Sequence, residues 1–241
     1  MEAVTDLKSK LERSLGLLGI EEPVLALYDT DNLAAYEPTV RPKAGQCCWE
    51  FANAWRTGET LVISKDNYGC PGAGRYFLGI EPKDRDLAKF LYEGEGLKAS
   101  LDITKAWIEN TRHHRHRKEY ALVGPFRPDR MDEVSTVTFL VDPDQLSALI
   151  TAAEWRSSDA LASHVLVLVS SGCGLLDPFE GTSEPRAVIG ALDMAMRPNL
   201  PRHLMAFTVN APMLRQLIEM DETSFLHKPF WQKLKEARSS E

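Results

Sequence analysis

Two short runs place a cysteine between glycines. The first is Asn67-Tyr68-Gly69-Cys70-Pro71-Gly72-Ala73-Gly74. Proline favours the first turn of a helix, so Cys70 is read as a helix N-cap. A thiol there faces unpaired backbone N–H groups and the positive end of the helix dipole, and both favour the thiolate. The thiolate is the form that attacks and that binds metal. Gly69, Gly72 and Gly74 clear side chains from around it, so a ligand can approach the backbone, with Asn67 beside it. The second run, Ser170-Ser171-Gly172-Cys173-Gly174, follows an apolar stretch. In α/β proteins ligands gather at the carboxyl ends of buried strands, and Gly172 and Gly174 again leave room around a sulfur. The plainer reading of both runs is a tight turn with a small residue at its tip.

Cys47 and Cys48 open an amphipathic stretch. Adjacent side chains on a helix point about 100° apart, so both rarely face one site. Cys48 shares the phase of Phe51 and Trp55, which reads as core. No Cys-x-x-Cys occurs, so the usual zinc-ribbon and thioredoxin spacings are absent. A site from one of this pair with Cys70 and Cys173 would be assembled by folding, and three or four thiolates suit an iron-sulfur cluster or a soft metal. A small anion held by glycine-rich turns at helix N-termini is the alternative, with Asn67, Gly69, Cys70, Gly72, Gly74, Gly172 and Gly174 as its contacts. A cysteine nucleophile is a third reading and needs His164, His203 or His227 within hydrogen-bond reach.

Elsewhere the chemistry is sparse. Arg112-His113-His114-Arg115-His116-Arg117-Lys118 is the one basic cluster, read first as a solvated loop. Asp177, Glu180 and Glu184 are loop acids near Cys173, and Lys228 and Trp231 read as packing of the last helix. Walker, Gly-x-Gly-x-x-Gly and Gly-x-Ser-x-Gly patterns are all missing.

Residues 2–18 read as an amphipathic helix, with Val4, Leu7, Leu11, Leu15 and Leu18 at 3–4 spacing. Val24–Tyr28 reads as a strand, 47–56 as a helix closed by Gly58, and Leu61–Ser64 as a strand. Helices are expected over 71–78, 84–92 and 98–110, and strands over 120–126 and 134–141. Asp142 with Pro143 starts a helix bearing Leu146, Leu149 and Ile150. The continuous run His164–Val169 suggests a strand buried on both faces. A helix is expected from 183 or 184 to about 196, then a strand over 204–209, a helix capped by Asn210, and a last helix after Pro229. The strand, Asx cap and helix at 139–150 are echoed at 207–218, read as two uses of a common connection ahead of a repeat.

The 241 residues, 44% hydrophobic and 26% charged, fit one α/β or α+β domain over 1–241, a mixed sheet with flanking helices. Such a chain needs neither disulfide nor metal merely to fold. A net charge of -7 disfavours nucleic acid as a partner. No run reaches the roughly 20 apolar residues of a membrane span, and residues 1–15 lack a signal-peptide core. A cytoplasmic protein with reduced thiols is expected, with a small ligand and an oligomer left open.

One further pattern emerges from Cys48, Ala54, Gly58-Glu59, Ile63, Asn67, Cys70-Pro71-Gly72-Ala73 and Gly79. It resembles the signature half of domain of unknown function 169, an uncharacterised archaeal and bacterial family. Val141-Asp142-Pro143-Asp144-Gln145-Leu146 and Gly172-Cys173 resemble its second half. The resemblance covers nearly the whole chain and implies positions rather than an activity. It favours Cys48 over Cys47 as the family cysteine. The family pattern carries a further cysteine in a Cys-Ser-Gly-like turn, and the matching region here, Met196–Pro201, has none. That implies an altered site or no site.

Overall fold

The computed structural model describes residues 2–38, 47–64, 86–110, 118–159, 161–169, 172–175, 179 and 182–238, with the backbone alone for 2–3 and 47–49. Among them, seven strands form one mixed sheet in the order β2-β3-β1-β4-β7-β6-β5. The strands are β1 (Leu25–Thr30), β2 (Leu61–Ile63), β3 (Tyr120–Pro125), β4 (Val134–Val141), β5 (Val165–Val167), β6 (Ala187–Gly190) and β7 (Met205–Val209). Neighbours are antiparallel except β5 and β6, which run parallel. This is the mixed sheet with flanking helices that the alternation of strand and helix patterns implies.

The central strands are buried on both faces. Along β4, Val137, Phe139 and Val141 enter one apolar cluster, while Leu140 enters another. The first cluster is closed by α1 (Glu2–Leu18), α5 (Pro143–Glu154), α6 (Ala211–Ile218) and α7 (Pro229–Arg238). The second lies under α2 (Cys47–Thr57) and two short helical turns, Gly172–Leu175 and Arg197–Asn199. Between β2 and β3 the described chain holds α3 (Leu87–Lys89), which passes straight into a π-helical turn at Phe90–Gly94, and α4 (Leu101–Asn110). These pack on a small cluster of their own around Ala88, Leu91 and Ile108. No helix among the described residues is long and apolar enough to cross a membrane.

The caps act as the sequence predicts. Asp142 Oδ1 accepts from the Gln145 backbone N–H at 2.8 Å, and Gln145 Oε1 accepts from the Asp142 N–H at 3.0 Å. That reciprocal pair satisfies two otherwise orphaned donors. Asn210 caps α6 by accepting from Met213 N at 3.1 Å. Their helices α5 and α6 pack side by side, as do the antiparallel strands β4 and β7.

Two expectations are corrected. The apolar run His164–Val169 is not a strand buried on both faces: β5 is three residues long and lies at the sheet's edge, with Leu166, Val167 and Val169 exposed. Apolarity alone does not distinguish a central strand from an edge that something else covers. The helix expected from 183 or 184 to 196 is also absent. Ala187–Gly190 is instead a strand between β5 and β7. The chain turns at Ala191, in the left-handed region at φ 57°, and Asp193 Oδ1 draws 193–196 into a turn by accepting from Ala195 N and Met196 N. A short aliphatic run with small residues satisfies either period, and pairing with two neighbours decides for the strand. The helix expected over 71–78 lies outside the described residues, and that over 84–92 is present from Leu87 as α3 continued by the π-helical turn to Gly94.

Candidate functional site

The helix begun by Cys47 and Cys48 forms where the periodicity predicts it. It is fastened at its far end by Trp55, whose Nε1–H donates to Glu22 at 2.7 Å, and by Arg56, which donates to the Asn199 carbonyl at 2.6 Å. Gly58 closes it at φ 69°, with its N–H on the Ala54 carbonyl. Phe51, Ala52 and Ala54 are buried. So is Glu50, at 1% exposure. A carboxylate in the first turn of a helix is favoured by the helix dipole, but a buried one is uncommon in an apolar layer. The sequence reading passed over it, because an acid near a helix start looks like an ordinary surface residue.

Beyond β5 the chain crosses the same face of the sheet as the turn Gly172–Leu175. Thr136 Oγ1–H donates to the Leu175 carbonyl at 3.1 Å, which ties the turn to β4. Gly190 of β6 lies under the Leu175 side chain so closely that a Cβ there would sit 2.5 Å from Leu175 Cδ2. All four residues of the turn are buried, and Cys173 is 5% exposed within the cluster that holds Phe51, Ala54, Met196 and Leu200. The turn packs against α2. Folding therefore brings together the helix led by Cys47-Cys48 and the turn carrying Cys173, which are more than a hundred residues apart in sequence. Gly172 and Gly174 are buried on either side of Cys173.

The stretch Met196–Leu200 lies on this face too. Met196 is buried there, and the turn Arg197–Asn199 meets α2 at Arg56. Arg56 is at the opposite end of the helix from Cys48, about 12 Å away along its axis.

The remaining predicted residues fall elsewhere. Asn67, Gly69, Cys70, Gly72 and Gly74 lie outside the described residues, as do Asp177, Glu180 and the side chain of Cys48. So does the basic tract except Lys118, whose Nζ meets Asp31 at 2.8 Å, a pairing that holds the ammonium above its ordinary pKa. His203 and His227 are exposed, and His164 Nδ1 meets Glu154 at 3.1 Å. Among the described residues no three His, Cys, Asp or Glu side chains gather at metal-binding spacing.

A second polar cluster joins the turn Leu33–Tyr36 to the turn Pro128–Glu133. Tyr28 donates to the Pro125 carbonyl at 2.7 Å and accepts from Arg127 N at 2.6 Å. Tyr36 donates to Glu133 at 3.1 Å beneath the guanidinium groups of Arg127 and Arg130. Burial, foremost, lifts both phenols far above their ordinary range. These groups clamp the chain and are consistent with a structural role.

No curated protein and no solved structure matches the chain. The comparison with known families agrees with the cysteine-and-glycine pattern. The sequence model of DUF169, uncharacterised ArCR, matches residues 16–220, and the chain belongs to that family.

Proposed function

We propose that this family member builds a thiolate site from Cys48, Cys70 and Cys173 that holds an iron-sulfur cluster or a soft metal, for redox or sensing. The observation that supports it is the packing of α2 on the Gly172–Leu175 turn, which joins two of the three cysteine-bearing stretches. The third is within chain reach. β2 follows α2 after a three-residue connection and packs beside it. Six residues then lead from Ser64 to Cys70.

Three thiolates without the family's further cysteine leave one position of a bound iron or zinc for an outside ligand. That arrangement suits a sensor or a reactive site better than a closed structural one. The apolar neighbours of Cys173 would shield such a centre from water. The alternative is a small anion held by the glycine-rich turns through Asn67, Gly69, Cys70, Gly72, Gly74, Gly172 and Gly174, and thiols too far apart to share a metal would favour it.

Anaerobic purification followed by iron, sulfide and trace-metal analysis is the test. The expected result is bound metal in the native chain, lost in Cys173→Ser and kept in Cys47→Ala. A colourless, metal-free native protein under those conditions overturns the proposal.

A further inference from the structure

Among the described residues, the edge of the sheet at β5 is bare in an unusual way. Natural edges are guarded by lysine, proline, bulges or inward charges. From Leu161 to Leu176 the chain has no Asp, Glu, Lys, Arg or Pro, although 26% of the whole chain is charged. Leu161 is 97% exposed, and Leu166, Val167 and Val169 are exposed with it.

The ladder shows which backbone groups point outward. His164 O accepts from Ala187 N and Leu168 N donates to Ile189 O, so the even-numbered residues face β6. In a strand the odd-numbered ones then face away. Val165 agrees: its N–H donates to the Ser163 hydroxyl at 3.0 Å instead of to a strand, while that hydroxyl donates to Glu154 at 2.7 Å. Val167 and Val169 present their groups to the open edge.

The sequence across this edge is a palindrome, Val165-Leu166-Val167-Leu168-Val169. We infer that β5 pairs antiparallel with β5 of a second copy of this chain, about a two-fold axis through Val167. That register sets Val167 opposite Val167, Leu166 opposite Leu168 and Val165 opposite Val169 of the other copy. Each face of the joined sheet then meets its own kind, as an isologous interface requires. The centre is a residue whose N–H and C=O already point outward, so Val167 exchanges both bonds with its twin. The Ser163 hydroxyl holds the Val165 N–H in the separate chain and gives way when a strand arrives.

The absence of charge matters for this occupant above others. Each copy carries -7, and self-association tolerates no acidic residue on the axis. A pairing through one short strand is small by the standards of permanent interfaces, so a reversible dimer is expected.

The two-fold axis makes a sharp test, because any charge placed at Val167 meets itself. Sedimentation of the full chain from about 1 to 100 μM spans the range in which a small interface forms. The native chain should reach twice its 27.0 kDa mass. Val167→Lys and Val167→Asp should each be monomeric, and an equimolar mixture of the two should recover the dimer. Val167 is 67% exposed, so both variants should keep the native melting temperature, which is measured alongside. A native chain monomeric at the top concentration overturns the inference and leaves the edge to a different partner. A dimer that persists in folded Val167→Lys overturns it too, by placing the contact elsewhere.

Discussion

The hydroxyls of Thr138 and Thr208 lie 2.7 Å apart on adjacent strands, and both residues are fully buried. Each satisfies the other inside the layer that contains Cys173. Thr138→Val should therefore cost about 1–3 kcal/mol, since it strands the Thr208 hydroxyl. Replacing both by valine should cost much less than twice that, because no polar group is left behind. Urea unfolding of the two single variants and the double checks this; strictly additive losses would show that the pair is not coupled. At this scale the sequence was informative about the caps Asp142 and Asn210, whose roles depend on close neighbours in the chain. It was silent about Thr138, Thr208 and Glu50. Their burial comes from strands and helices that meet only in three dimensions, and a threonine or glutamate looks the same in sequence whether it faces water or the core.

Elements whose pattern has one period were legible. The helices at Glu2–Leu18, Pro143–Glu154 and Ala211–Ile218 and the strand Val134–Val141 form within a residue or two of where spacing and caps place them. Residues 187–196 were not, because Ala187–Gly190 is too short to display a period and its pairing with β5 and β7 is non-local. The same strand explains how the Cys173 turn is seated. Gly190→Ala would push a Cβ to 2.5 Å from Leu175 Cδ2, so Leu175 must change rotamer or the turn must lift. The expected cost is about 1–3 kcal/mol, read from the shift in thermal or urea midpoint. Glycine at 190 is thus a packing requirement of the turn. If the variant melts as the native chain does, the turn does not rest on β6 as tightly as the contact indicates.

Across the whole molecule, the two ends of the chain close one face of the sheet together. Trp231 of α7 is buried, and its Nε1–H donates to the Leu17 carbonyl at 2.8 Å, where Lys235 Nζ also reaches at 3.1 Å. Those contacts cap the C-terminal end of α1 with groups more than 200 residues away. Trp231→Ala should cost about 3–5 kcal/mol and loosen α1 along with α7, seen as faster amide exchange in both helices. Exchange that quickens in α7 alone would show that α1 is held by the sheet without it. The sequence by itself determined the mixture of strands and helices, most of their boundaries, the caps and the glycine-flanked cysteines, because each rests on interactions a few residues long. Tertiary structure alone decided that β5 is an edge, that α2 lies on the Gly172–Leu175 turn, and that Glu50 is buried. Strand order and face are set by which distant apolar surfaces cover one another, and no local spacing records that choice.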